Sequence, residues 1–173
     1  MIKRLNYMEK IMLGAIIGDI VGSIYEFDNI KTKNFNLFTN EMFFTDDTVM
    51  TIAIADAIIN GAKPENFILS MKKWGGDYID KSYGRSFRRW LKSENSEPYN
   101  SWGNGSAMRV SPCGWVAKLS EPFEEGLKLT EDLAKKSAEV THNHPEGIKG
   151  AQATASSIFF MRHGKSKNAI GRI

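Results

Sequence analysis

Residues 45–59 read TDDTVMTIAIADAII, and this stretch decides the fold class of the chain. Two threonines around two aspartates come first, and a nearly unbroken apolar run from Val49 to Ile59 follows them. A polar start followed by such a run is typical of a helix, which we predict over about 46–59. The dipeptide Asn60-Gly61 then gives a C-terminal stop signal.

The tetrad Thr45-Asp46-Asp47-Thr48 permits two interpretations. Threonine at an N-cap, with aspartates in the first turn, is an ordinary way to begin a helix. The same four hard oxygen donors in one turn also suit Mg²⁺ or Mn²⁺. Adjacent carboxylates repel each other, and the apolar run offers no basic partner, so a cation would stabilise the turn. The tetrad alone favours capping, and the rest of the chain has to decide.

Helical periodicity dominates elsewhere, and no run of alternating strand residues appears. Further helices are predicted at about 7–23, from 64 to a break at 75–76, at about 85–92, around 107–119, at about 122–140 and at about 145–162. A new pattern begins at 167–170. The class is therefore all-α, with residues 1–173 in a single domain.

The first predicted helix carries a stripe of glycines at Gly14, Gly18 and Gly22. Glycine costs a helix about 1 kcal/mol relative to alanine. The stripe therefore predicts the close approach of another backbone or of a ligand. Asp19 and Glu26 are seven residues apart, which places them two turns apart on one face if the helix persists that far.

Composition limits the class of protein. The 23 Lys and Arg residues against 20 Asp and Glu give a net charge of +3, too weak a bias to argue for nucleic acid. The basic residues of 85–92 are interpreted as a solvated face over a core stripe. Cys113 is the single cysteine, which excludes a disulfide framework and fits a reducing compartment. The apolar segment 11–24 is too short and too polar to span a membrane, so we expect a cytoplasmic protein with no membrane or nucleic-acid partner.

Four stretches then stand in a fixed order. They are GDIVGSIYEF at 18–27, FFTDDTVMTIAIADAI at 43–58, WGNGSAMRVSPCGW at 102–115 and THNHPEGIKGAQATA at 141–155. In this order and spacing the chain resembles the ADP-ribosylglycohydrolase family, the group that includes the dinitrogenase reductase-activating glycohydrolase. The resemblance covers about residues 13–160.

The resemblance implies an all-α bundle with two Mg²⁺ or Mn²⁺ ions at the centre of a cleft. It also implies cleavage of ADP-ribose from a modified protein side chain or from a small-molecule conjugate. Thr45, Asp46 and Asp47 match the family's first group of metal ligands. Glu26 matches a glutamate near the metal site and the scissile ribose, so Glu26 and Asp46 are the candidate catalytic residues. A carboxylate there can act as general base or stabilise positive charge.

The resemblance also assigns the substrate-binding residues. The turn Asn104-Gly105-Ser106, with Met108, matches the loop that wraps the diphosphate and distal ribose, and it ends a long loop at 94–106. His142 matches a histidine near the phosphate and adenosine end. Glycine-rich turns bring backbone N–H groups close to a diphosphate, and a helix starting at Ser106 would favour its charge. We interpret His144 as incidental and expect Arg109 to pair with an acid in the bundle.

The chain departs from the family pattern in one respect. Family members are usually well over half as long again, and an Asp-x-Asp-Ser/Thr cluster in their C-terminal part completes the metal site. No Asp-x-Asp occurs in this sequence. We therefore expect the N-terminal portion of the domain, which by itself holds at most one ion. Either this portion is inactive or unstable alone, or a second chain or another copy of this chain completes the bundle.

Two functions remain open on these grounds. The first is metal-dependent hydrolysis of the bond between ADP-ribose and its acceptor. The second is a non-catalytic remnant that binds ADP-ribose or acts as a helical interaction module. The sequence does not distinguish arginine, serine and small-molecule acceptors.

Overall fold

The computed structural model describes residues 2–166 and residue 168, and for residues 2–11 it gives the backbone alone. The described residues form helices and loops without a strand, which confirms the all-α class. The α-helices are α1 (Ile2–Gly22), α2 (Asp46–Ile59), α3 (Pro64–Asp77), α4 (Arg85–Lys92), α5 (Phe123–Glu139) and α6 (Pro145–Arg162). Of the pattern predicted from residue 167, only Asn168 lies within the described residues.

The central element is α2, whose apolar run is the core of the bundle. Met50, Ala53, Ile54 and Ala57 are fully buried. Helix α3 packs along one side of α2, and α1 and the short 3₁₀ turn Ser111–Trp115 contact it elsewhere. Burial of a large apolar side chain stabilises a fold by about 1.5–3 kcal/mol, so this helix anchors the domain. Its amino end consequently sits at a fixed position.

The predicted break of the third helix at Gly75-Gly76 is wrong, because α3 continues to Asp77. A Cβ added at Gly75 would lie 2.6 Å from Cδ2 of Leu91 in α4. Glycine is therefore needed for the close packing of α4 on α3, and this tertiary contact outweighs its low helix propensity.

The helix predicted around 107–119 is also absent from the described chain. Two 3₁₀ turns, Asn104–Ser106 and Ser111–Trp115, replace it. A Cβ at Gly114 would lie 2.8 Å from the carbonyl oxygen of Ala155, so α6 packs directly against the second turn. The expected helix N-terminus at Ser106 is thus not formed, and only a single 3₁₀ turn occupies that position.

The glycine stripe of α1 faces open space. No described atom lies within 4 Å of a Cβ placed at Gly14, Gly18 or Gly22. Leu13 and Ile17 on the same helix are 50% and 43% exposed. The close approach predicted from the stripe is therefore not made within the described residues. None of the described helices has the length and hydropathy needed to cross a membrane.

Candidate functional site

A carboxylate from α1 holds the amino end of α2. Thr45 is the N-cap residue of α2, and its hydroxyl accepts a hydrogen bond from the backbone N–H of Asp47 at 3.2 Å. Asp19 accepts from the N–H and the hydroxyl of Thr45, at 2.8 and 2.6 Å. It also accepts from the N–H and the hydroxyl of Thr48. The capping interpretation of the tetrad is confirmed, and Asp19 completes the cap from a second helix.

Four carboxylates lie near one another at the amino end of α2, those of Asp19, Glu26, Asp46 and Asp47. Burial raises the pKa of Asp46 to about 6, and the charges of Asp47, Glu26 and Asp19 add to the shift. Burial also raises the pKa of Asp47, with contributions from the charges of Asp19 and Glu26. The salt bridges of the described residues involve none of these four side chains. The cluster therefore concentrates acidic groups without an ion-paired cation among the described residues.

The donor chemistry fits a hard divalent cation. Asp46 and Asp47 carry carboxylates in the first turn of α2, and the Thr45 hydroxyl oxygen stands beside them. Oxygen donors of this kind are preferred by Mg²⁺ and Mn²⁺. Within the part of the chain that the structure describes, no three His, Cys, Asp or Glu groups are arranged to hold an ion. The described residues therefore form no complete metal-binding group.

A cavity of about 360 Å³ opens beside the amino end of α2. Five of the predicted site residues line it, namely Asp46, Asn104, Gly105, Met108 and His142. These residues come from three separate segments of the sequence, and the fold brings them to one place. An adjoining cavity of about 480 Å³ shares Tyr99 and Ser101 with the first. A cavity of this size with several convergent polar groups is in the range of small-molecule sites.

The other predicted residues lie beside the cavity or behind it. Thr45 and Asp47 flank Asp46 at the helix start, and Glu26 is exposed next to the acidic cluster. The Ser106 side chain is buried, and its hydroxyl donates to the carbonyl oxygen of Gly147 at 2.7 Å. Ser106 therefore ties the loop to α6 and does not line the cavity.

The loop at 99–105, which forms one wall of the cavity, is held close to His142. A Cβ added at Gly105 would lie 2.9 Å from Nε2 of His142. The backbone N–H of Tyr99 donates to the Thr141 carbonyl oxygen, and that of Asn100 donates to the Asn143 side chain at 2.8 Å. The loop and the segment before α6 are thus fixed to each other, and glycine at 105 is required by the close approach of the imidazole.

Arg109 has no acid partner, so the expected ion pair is not formed among the described residues. Its side chain is 1% exposed and lines the cavity. One terminal nitrogen donates to the carbonyl oxygen of Ser137 at 2.9 Å and to Oγ1 of Thr141 at 2.8 Å, while Nε has no partner. Burial lowers the pKa of Arg109 to about 10. The Ser137 carbonyl lies in the last turn of α5, where the helix dipole favours a cation.

Residues missed by sequence reasoning also line the cavity. They are Gly84, Arg85, Ser86, Phe87, Tyr99, Ser101, Gly103 and Arg109. Arg85 is exposed, as its solvated-face interpretation required, but it also stands at the cavity. The one usable signal was the unusual length of the loop at 94–106. His144, interpreted as incidental, is the N-cap of α6 and accepts from the N–H of Glu146 at 3.2 Å.

The buried imidazole makes stability depend on pH. Burial, together with the nearby Arg109 charge, lowers the pKa of His142 from 6.5 to about 3. Because the unfolded chain binds this proton and the folded chain does not, the contribution of His142 to the free energy of unfolding should fall as pH drops from about 6.5 towards 3. The raised pKa of Asp46 acts in the opposite direction below about pH 6, so the His142 contribution is obtained as a difference from a His142 variant. The slope is at most about 1.4 kcal/mol per pH unit. Denaturant titrations at pH 7, 6 and 5 measure it, with His142→Gln as comparison; parallel pH curves for the two proteins would contradict the expectation.

Fold and site together define a class of protein. It is an all-α domain in which the central helix begins at a cluster of carboxylates beside a polar cavity. A family model described as ADP-ribosylglycohydrolase matches residues 3–170. The chain belongs to the ADP-ribosylglycohydrolase family.

Curated relatives agree with this placement. An ADP-ribosylarginine hydrolase, Tri1 from Pseudomonas putida (strain GB-1), is 25% identical over 182 residues, covering 90% of this chain and 47% of the relative. ADP-ribosylhydrolase ARH3 from Mus musculus is 25% identical over 191 residues, covering 91% and 49%. The ARH3 of Homo sapiens is also 25% identical, covering 91% and 50%. The chain thus spans about half the length of the curated relatives it matches.

Proposed function

We propose that this chain supplies the ADP-ribose-binding cavity and the first metal-ligand group of a metal-dependent ADP-ribosyl hydrolase. The observation that carries the proposal is the meeting of Asp46, the Asn104-Gly105 turn and His142 around one cavity. The names of the relatives, which describe hydrolases of ADP-ribose linkages, support the same substrate class.

The cavity lining offers groups for both the diphosphate and the ribose of the ligand. The Asn104-Gly105 turn offers backbone N–H groups, and the buried Arg109 guanidinium contributes positive charge for a diphosphate. Asp46 is the acidic residue of the same lining, and the ribose attached to the acceptor would lie beside it. Tyr99 lines both cavities and gives an aromatic surface for the adenine.

Hydrolysis breaks the bond between C1″ and the acceptor atom and forms a bond from C1″ to a water oxygen. A carboxylate takes the water proton, and the acceptor atom leaves with a proton. Glu26 is suited to the first role, because it is exposed and its charge reaches both Asp46 and Asp47. Thr45, Asp46 and Asp47 would hold the ion, which when bound orients ribose hydroxyls and lowers the pKa of water.

The partner that we propose for the apolar side of the molecule is a second polypeptide segment that completes the bundle. A groove of about 580 Å³ runs along α1, with Gly14, Trp115 and Ile158 in its lining. Phe27 in the following loop is 84% exposed. An apolar groove beside an exposed aromatic side chain is a place where such a segment could pack. For the compartment we propose the reducing cytoplasm, since Cys113 is buried and free.

A non-catalytic ADP-ribose binder is the second candidate. The described ligands favour it, since two carboxylates and a hydroxyl provide fewer oxygen positions than two divalent ions require.

Isothermal titration with Mg²⁺ and with ADP-ribose, combined with release of ADP-ribose from arginine- and serine-linked substrates, separates the candidates. Binding with turnover supports the hydrolase, and binding without turnover, even with added metal, supports the binder. The absence of heat for both ligands at millimolar concentration would refute both candidates.

A further inference from the structure

A buried chain of polar groups connects Arg109 to the imidazole at the cavity wall. The terminal nitrogen of Arg109 donates to Oγ1 of Thr141 at 2.8 Å, and Oγ1 lies 2.8 Å from Nδ1 of His142. Thr141 is fully buried, and His142 is 4% exposed. The hydroxyl of Thr141 therefore has two neighbours, and only one of them is able to accept a proton.

The direction of each hydrogen bond follows from the protons available. Arg109 donates and does not accept, so Oγ1 of Thr141 accepts from it. The single hydroxyl proton of Thr141 then has Nδ1 of His142 as its acceptor among the described residues. If Nδ1 carried the ring proton instead, the buried hydroxyl proton would lack a partner, which is unfavourable. The ring proton consequently resides on Nε2.

We propose that Arg109 and Thr141 are positioning residues that lock His142 in the tautomer with its proton on Nε2. The Nε2 edge of the ring lies against the Gly105 backbone, at the turn that lines the cavity. In this tautomer His142 presents an N–H donor to an anionic oxygen bound at the turn, and it stays neutral. The tautomer of His142 is a property of the free protein, whereas the identity of the bound ligand rests on the proposed function.

Nitrogen-15 NMR of the histidine rings tests the tautomer without any ligand. In the wild-type protein, Nδ1 of His142 should show the shift of an unprotonated ring nitrogen and Nε2 that of a protonated one. Thr141→Val removes the hydroxyl with little change of shape and should produce a mixture of tautomers, whereas Thr141→Ser should restore the wild-type pattern. Thr130→Val is the matched control, because Thr130 is also a fully buried threonine whose hydroxyl donates to a carbonyl oxygen, that of Gly126.

The proposal is overturned if wild-type Nδ1 carries the proton, or if Thr141→Val leaves the pattern unchanged. Arg109→Met should also shift the tautomer balance, and an unchanged pattern in a folded Arg109→Met protein would remove Arg109 from the proposal. The position-141 variants decide the role of Thr141 whether or not that protein folds.

Binding of ADP-ribose gives the second readout. Loss of one fixed donor should weaken binding about fivefold to tenfold in Thr141→Val, while Thr141→Ser and Thr130→Val stay within about twofold of wild type. A tautomer change without loss of affinity would overturn the donor role of His142. If wild-type protein fails to bind ADP-ribose, the proposed function falls, while the tautomer result still stands or falls by NMR.

Discussion

Asp19→Asn is expected to lower the free energy of unfolding by about 2–4 kcal/mol, although the change alters only one atom of the side chain. Asp19 accepts from both the backbone N–H and the hydroxyl of Thr45, and from the same two groups of Thr48. An asparagine has one carbonyl oxygen where aspartate has two acceptors, so at least one donor at the start of α2 loses its partner.

An opposing effect must be weighed against this loss. The charge of Asp19 helps to raise the pKa values of Asp46 and Asp47, so its removal relieves some repulsion. Relief of charge repulsion at partly exposed sites contributes about 1 kcal/mol or less, whereas several charge-assisted hydrogen bonds contribute more. The net effect should remain a loss of stability.

Denaturant unfolding at pH 7 in the presence of EDTA measures this effect. Asp132→Asn is the control, since Asp132 is an exposed residue of α5 and should change stability by less than about 0.5 kcal/mol. Equal stability of the Asp19→Asn and Asp132→Asn proteins would show that the α1 carboxylate does not hold the amino end of α2.

Helices that begin at a strong local signal were predictable from the sequence. The bounds of α2 and α4, and those of α6 from Pro145, agree with the structure because caps, apolar periodicity and prolines act locally. The failures have a tertiary cause. Gly75 lies inside α3 because Leu91 packs against it, and Gly114 lies in a 3₁₀ turn because α6 presses on it. No local pattern reveals a contact between residues that are distant in the sequence.

Some residues of the candidate site were likewise predictable from the sequence, and others were not. Asp46, the Asn104-Gly105 turn and His142 were assigned from motifs, and the fold places them around one cavity. The prediction that Arg109 pairs with an acid was wrong. Buried charges usually pair with an opposite charge, but Arg109 is compensated by the carbonyl end of α5, which the sequence does not reveal. The position of Tyr99 depends on a backbone contact with Thr141, which only the folded chain shows.

Asp46→Asn should impair function and leave the fold intact, whereas Asp19→Asn should destabilise the fold. The Asp46 side chain lines the cavity, whereas the cap of α2 is formed by Thr45, Thr48 and Asp19. Removal of one negative charge from a cluster without an ion-paired cation relieves repulsion. The free energy of unfolding in EDTA should therefore stay level or rise by about 0.5–2 kcal/mol.

On the proposed function, the same substitution removes a metal ligand and the carboxylate that lines the cavity. Release of ADP-ribose should fall about a hundredfold to a thousandfold, and the heat of Mg²⁺ binding should be lost. Asp132→Asn again serves as the control for both readouts. Retained Mg²⁺ affinity in Asp46→Asn would exclude this residue as a ligand. A carboxylate that is kept for function in spite of charge repulsion should stabilise the protein when it is neutralised. If the Asp46→Asn protein unfolds instead, Asp46 belongs to the helix cap and not to the site.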